Sequence, residues 1–391
     1  MNYILIDSEI RTSLLPFTFT RPVAEIRIGI LTLREKWEAY LKVKASFKTE
    51  EYLRVKYPMI LETDNIFIDA SFLPTPELVS SIISLEPETA LMHNDFVLAY
   101  RSAADISLAE IASFKQKNFQ APLIRVQNTW DIFSKNGEAL QQDFDLLTKG
   151  RKSAPISKTN RLISPENIFL EEGATVEYSI LNASEGPIYL GKDSEVMEGN
   201  MIRGGFALCE RAVVKMGAKI YGPTTVGPHG KVCGEINNSV IFGNSSKGHD
   251  GYLGNSVLGE WCNIGADSNN SNLKNNYAKV RLWSYATERF EPTGLQFCGL
   301  MMGDHSKTAI NTMFNTGTVI GVNCNIFATG FPRNFVPSFS WGGASGFTTY
   351  QTAKAFEAAE VMMARRGRIF DEKEASIMEH VFEITKKWRK Y

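Results

Sequence analysis

The stretch LGKDSEVMEGNMIRGGFALCERAVVKMGAKIYGPTTVGPHGKV, residues 190–232, decides the fold. Leu190, Val196, Ile202, Leu208, Val214, Ile220, Val226 and Val232 stand six residues apart, a beat that neither a helix nor an alternating strand produces. The residues two before them are mostly small or polar, as at Ser194, Asn200, Ala212, Ala218, Thr224 and Gly230. A period of six is the hexapeptide repeat of a parallel β-helix: one aliphatic per short strand points inward, and three strands complete a triangular coil. Leu170 and Val176 lead into the beat; Met302, Thr308, Phe314, Ile320 and Ile326 resume it. Between them Val240, Leu258 and Ile264 hold the phase, while residues 242–257 and 265–301 leave it and are predicted to be excursions, where function often sits.

Outward from this repeat the pattern changes. In residues 1–150, short apolar runs (YILI at 3–6, IFID at 66–69, FVLAY at 96–100) alternate with helical patterns such as LTLREKWEAYL at 31–41, which predicts an α/β layer domain. Residues 151–166 are polar with two prolines and read as a linker, and 167–345 as the β-helix. Residues 346–391 carry two predicted helices; Gly367 stops the first, and Asp371 with Glu374 forms a capping-box start for the second.

Composition limits the function classes. The 391 residues are 43% hydrophobic and 22% charged with net charge −1, which gives no bulk-charge reason to bind nucleic acid or an anionic membrane. The opening MNYILIDSEIR has an apolar run too short for a signal peptide, and no segment approaches a membrane span, so the chain reads as cytoplasmic. The five cysteines are scattered without a CxxC pair, so neither a zinc site nor a disulfide framework is suggested.

One histidine stands out, in GHDGYLGNSVLGEWCNIGAD, residues 248–267. This segment resembles the acetyltransferase domain of bifunctional N-acetylglucosamine-1-phosphate uridylyltransferase/glucosamine-1-phosphate acetyltransferases, where Gly-His, Tyr-Leu-Gly and Asn-Ile-Gly-Ala recur at this spacing. The resemblance implies that His249 is the catalytic base, that Tyr252, Asn263 and Asn272 bind the acceptor sugar, and that Ala266 and Ala328 offer backbone contacts to acetyl-CoA. Histidine suits the chemistry, because an amine or hydroxyl attacking a thioester must lose a proton near neutral pH. His305, in GDHSK, is the next candidate base. Where the family reads the acceptor phosphate with an arginine and a lysine, this chain has Tyr221 and Asn237; Lys215, Lys219 and Arg203 are the nearby cations that could substitute.

LLPFTFTRPVAEIRIG, residues 14–29, is similar to the signature of sugar-phosphate nucleotidyltransferases, matched at Pro16, Thr18, Pro22 and Gly29. Val23 stands where that family has its substrate-binding lysine, and SEIRTS, 8–13, where it has a glycine-rich phosphate cradle. Arg21, with Arg11 or Arg27 beside it in sequence, is left to supply positive charge to the substrate. IFIDASFLPTPEL, 66–78, resembles the family's metal-binding strand end, which would make Asp69 a Mg²⁺ ligand; the plain alternative is an aspartate that ends a strand.

Together these resemblances imply a nucleotidyltransferase-like (Rossmann-like) α/β domain, a left-handed parallel β-helix and C-terminal α-helices, assembled as a homotrimer. They imply an acetyl-CoA-dependent acyltransferase acting on an amino sugar phosphate or nucleotide sugar, with or without sugar-1-phosphate nucleotidyltransferase activity. Its expected partners are a sugar phosphate, acetyl-CoA and a nucleoside triphosphate. Two alternatives stay open: a nucleotidyltransferase whose β-helix is a trimerisation and regulatory platform, and a catalytically silent scaffold that binds a sugar nucleotide.

Overall fold

The computed structural model describes residues 1–391, the side chain of Leu108 excepted. By its contacts the chain divides into two compact units, residues 1–14, 20–26 and 31–128 in one, and residues 15–19, 27–30 and 129–391 in the other.

The first unit is the expected α/β layer. Its elements run β1 (Asn2–Ile6), α1 (Leu33–Leu41), β2 (Ser46–Lys48), β3 (Asn65–Asp69), α2 (Pro76–Ile83), β4 (Thr89–His93), β5 (Phe96–Ser102) and β6 (Lys115–Asn118). The sheet order is β2-β1-β3-β5-β4-β6. β1 is parallel to β2 and β3, with Ile6 opposite Asp69, whereas β5 runs antiparallel to both β3 and β4. Strands buried on both faces read as unbroken apolar runs, and Ile4, Leu5, Phe67 and Ile68 are indeed buried. Local signals fix the helix starts: Thr32 and Glu35 cap α1 reciprocally, and Thr75 accepts from the Leu78 amide just before Pro76 opens α2.

The second unit is a three-sided parallel β-helix. On its first side six strands stack, from Arg161–Ile163 through Lys219–Tyr221 to Tyr252–Gly254. The second side has nine, from Ile168–Leu170 to Phe335–Val336. The third side runs from Thr175–Val176 to Ser246–Lys247, then through single bridges at Asn263 to Lys307–Thr308 and beyond. The hexad residues form the interior: Leu190, Leu208, Val214, Val226 and Val232 have no exposed surface, and Leu190 lies beside Leu208, which lies beside Val226. Corners follow three residues after each interior aliphatic, where Asp193, Gly199, Arg211, Gly217, His229 and Asn244 all adopt positive φ. The small and polar residues two before the aliphatics fit beneath these corners. Asn200, for example, is buried, donates to the Met197 carbonyl and accepts from the Ala218 amide at 2.7 Å.

Several features differ from the sequence reading, the first being that Arg161–Ile163, read as linker, forms the opening strand of the first side. The interior position after Val226 is taken by Ile241 rather than Val240, because the intervening coil is shorter by three residues and Val226 pairs with Ile241. Residues 242–257 are no excursion: Ser246–Lys247 and Tyr252–Gly254 keep the coil. The departure lies in 265–301, where Arg281–Ser284 and Arg289–Pro292 form an antiparallel hairpin. Helix α3 (Asn136–Thr148), read as part of the N-terminal domain, belongs to the second unit, where Asn136 donates to the Pro223 carbonyl and to Thr225 Oγ1.

The chain closes with helices α4 (Thr352–Ala364) and α5 (Glu372–Ile384). Gly367 has φ 66°, and the Asp371 carboxylate accepts from the amides of Lys373 and Glu374, which is the Asp371 half of the predicted capping box. Ile377 and Val381 are buried along α5. All five cysteines are unpaired and buried, and no helix among the described residues is long and apolar enough to cross a membrane.

Candidate active site on the β-helix and a second cavity in the α/β unit

His249 sits at the corner between the third and first sides, exposed to solvent. It lines a cavity of about 330 Å³ with Lys215, Gly248, Asp250 and Ala266. The turn that presents it is tightly held. Gly251 has φ 108°, and a Cβ there would lie 2.2 Å from the Ser268 carbonyl oxygen, so only glycine lets the turn close on the next coil. From inside, the Lys247 ammonium donates to the carbonyls of His249 and Asp250. Lys247 pairs with Val232 and so occupies an interior position of the coil that elsewhere takes an aliphatic. It is 1% exposed, and burial pushes its pKa down to about 8.

Tyr252 and Asn272 come together one strand away. Asn272 Nδ2 donates to Tyr252 Oη at 2.9 Å and to Asn255 Oδ1 at 2.7 Å. Gly254 makes room for this hydroxyl, since a Cβ at that position would lie 2.2 Å from Tyr252 Oη. Burial raises the Tyr252 pKa, which leaves the hydroxyl protonated and able to donate. Tyr221 and Asn237 are paired in register on the same side, and Tyr221 Oη donates to Glu235 at 2.6 Å, so this face is polar without the two expected cations. Among the substitutes, Lys215 lines the His249 cavity, Lys219 stands in register with Glu235, and Arg203 is spent on Glu185 at 2.9 Å.

Asn263 and Ala328 lie apart from His249. Asn263 is on the third side, bridged to Ser246 and Lys307, and opens into a different, larger cavity. Ala328 is exposed with φ 92° and does not line the His249 cavity. His305 is buried, stacks on Trp261 with ring centroids 6.1 Å apart and meets Phe370 edge-on, which suits packing at a corner rather than proton transfer to a substrate.

In the α/β unit a cavity of about 500 Å³ opens beside the carboxyl ends of β1 and β3, the usual ligand position in an open α/β sheet. Asp7, Ser8, Lys48, Asp69, Tyr100 and Arg125 line it. Asp69 is 3% exposed; its carboxylate accepts from the Ser71 amide at 2.9 Å and from Arg125 at 3.1 Å. Arg125 is itself clamped between the rings of Phe72 and Phe96 and donates to Ser71 Oγ. A carboxylate occupied by a guanidinium and an amide does not suit Mg²⁺, and among the described residues no three His, Cys, Asp or Glu side chains group to hold a metal. Nearby, Asp7 accepts from the Val23 amide and from Thr49 Oγ1, and burial pushes its pKa up to about 6.

The arginines named from sequence do not line this cavity. Arg21 is buried, Arg11 is engaged by Asp7, Glu50 and Tyr52, and Arg27 lies in the other unit, donating to the Ile30 carbonyl. Its cations are Lys48 and Arg125, which no motif marks; a lysine ending a strand next to the first one was the only available signal.

Residues 3–152 match the sugar nucleotidyl transferase family. The chain is also similar to the bifunctional protein GlmU of Methanocaldococcus jannaschii, 34% identical over 95 residues, which are 24% of this chain and 22% of that protein. GlmU of Methanococcus aeolicus is 31% identical over 107 residues, 27% of this chain and 25% of its own length. The chain therefore spans a quarter or less of these relatives. Among solved structures, the polySia specific acetyltransferase NeuO has a TM-score of 0.27 at 11% identity, covering 49% of this chain and 82% of its own. An Arabidopsis UDP-N-acetylglucosamine acyltransferase has a TM-score of 0.23 at 15% identity, covering 55% and 80%. Likeness at that level carries nothing about activity.

The Lys247 arrangement makes a measurable prediction. A lysine whose folded pKa is depressed costs stability while the unfolded chain holds the extra proton. The wild type should therefore gain stability as pH rises from about 8 to 10.5, and Lys247→Met should lose that slope. Denaturant titrations of both proteins across this range check it; parallel curves would show that Lys247 is not the buried ammonium described.

Proposed function

We propose that the β-helix carries an acetyl-CoA-dependent acyltransferase for a sugar-bearing acceptor, with His249 as its general base. The observation that carries this reading is the exposed His249 in a rigid turn, sharing a cavity with Ala266 and Lys215 and standing one strand from the Tyr252–Asn272 pair. Acetyl-CoA supplies the activated thioester carbonyl. His249 takes the proton from the acceptor amine or hydroxyl as that atom attacks the carbonyl; the carbon–sulfur bond breaks and the proton passes to the departing thiolate. Tyr252 and Asn272 orient the acceptor, Ala266 offers its backbone to the acyl donor, and Asn263 and Ala328 join only across a subunit boundary. A homotrimer is supported by an exposed apolar pair on the first side, Ile180 and Met201, which stand in register and are 44% and 55% exposed.

For the α/β unit a second reading is that its cavity binds a phosphorylated ligand, and the Asp69–Arg125 pair disfavours magnesium-dependent turnover there. The family match of residues 3–152 supports the ligand class.

His249→Ala should lower kcat about a hundred- to ten-thousand-fold with a labelled acetyl donor and a panel of sugar phosphates, leaving the donor KM nearly unchanged. Asn272→Ala should chiefly raise the acceptor KM. A wild-type kcat in His249→Ala removes the base from this turn. Calorimetry with UTP should show equal affinity with and without Mg²⁺; binding that requires the metal would restore Asp69 as a ligand. Light scattering should give three times the chain mass of 43.7 kDa at micromolar concentration, and a monomer would dismiss the shared site.

A further inference from the structure

The third side of the β-helix carries a cavity larger than the one at His249. It measures about 930 Å³ and is walled by the outer face of the coils on one side and by α4 on the other. The coils supply Arg211, His229, Lys231 and Lys307, which come from three separate stretches of sequence. The α4 segment adds Lys354, Arg365 and Arg366. Against these stands one lining carboxylate, Glu357.

The positive charge here is only partly neutralised within the chain. Arg211 reaches Asp193 and Glu210 only at 3.7 Å each. Arg366 is anchored by donating to the His229 carbonyl, and Lys307 donates to the His305 carbonyl at 2.9 Å; carbonyls fix these cations in place without cancelling their charge. Among the described residues no carboxylate pairs with Lys231, Lys307, Lys354 or Arg365. The imidazole of His229 feels the consequence: burial, then the guanidiniums of Arg366, Arg368 and Arg211, hold its pKa below the usual value. Burial likewise lowers that of Lys307. Like charges converging on one concavity repel, and their common field falls to a favourable value only when an anion enters.

We propose that this cavity is a binding site for a phosphate-bearing ligand of about nucleotide size. Its volume lies in the range of small-molecule sites, and guanidinium and ammonium donors from two walls match the several oxygens of a di- or polyphosphate better than a single carboxylate. The cavity shares no lining residue with the one at His249. Two carriers share the recognised chemistry, a nucleoside polyphosphate and a phosphorylated nucleotide thiol such as coenzyme A.

The test is calorimetric titration of the full chain with inorganic pyrophosphate at about 0.15 M salt, where loosely attracted ions are screened. A saturable event that the substitutions below weaken should belong to this cavity, whereas any event in the α/β cavity should stay unchanged. In Lys231→Glu/Arg365→Glu that event should weaken at least about tenfold; both residues are exposed, and circular dichroism verifies that the fold is intact. UTP and coenzyme A, titrated in the same two proteins, tell the carriers apart: the one whose affinity falls in the double variant is the occupant. Binding in the α/β cavity is untouched by these substitutions. The proposal is overturned if pyrophosphate, UTP and coenzyme A all bind the double variant as they bind the wild type, or if none binds the wild type below about 10 mM.

Discussion

The second unit rests on coil-on-coil stacking. Each coil adds only a few two- or three-residue strands, none of which could fold alone, and buries one interior side chain per side against the coils above and below. The backbone ladder then sets every outward residue directly beside one about eighteen positions away, as Leu190, Leu208 and Val226 show for the interior. Side chains far apart in sequence thus become columns on a flat face. Tyr221, Asn237 and Gly254 form such a column, and so do Ser246, Asn263 and Lys307.

Stacking also explains where chemistry can sit. Interior positions tolerate little besides aliphatics, so Lys247 is an exception that needs a compensation, and it finds one in the two carbonyls beneath the His249 turn. Corners, in contrast, are free to vary, and they carry His249, His229 and His305 with three different outcomes. His249 faces solvent beside a cavity, His305 is packed between Trp261 and Phe370, and His229 is held among arginines.

In the α/β unit the same principle of paired burial works against the expected metal. Asp69 ends β3 where a ligand would be met, yet its carboxylate already accepts from Arg125, and Arg125 is held against two aromatic rings. Val23, standing where a lysine is expected, is fully buried and donates its amide to Asp7. The unit keeps a cavity at the strand ends whose two cations, Lys48 and Arg125, are held by Asp105 and Asp69.

The hexad beat determined the β-helix because a repeat of identical local environments leaves the same mark in every coil, and the cap signals at Thr32, Thr75 and Asp371 determined helix starts because capping is local. The His249 turn was legible for the same reason: its glycines, tyrosine and asparagines lie within a few dozen residues of one another. What only the tertiary structure decided depends on pairs remote in sequence. The Asp69–Arg125 bond joins residues 56 apart, the basic cavity gathers side chains from residue 211 to residue 366, and the separation of Asn263 from His249 follows from which side of the coil each one reaches. Residue type and spacing carry no record of such meetings, because the energy that makes them is set by neighbours the local chain never sees.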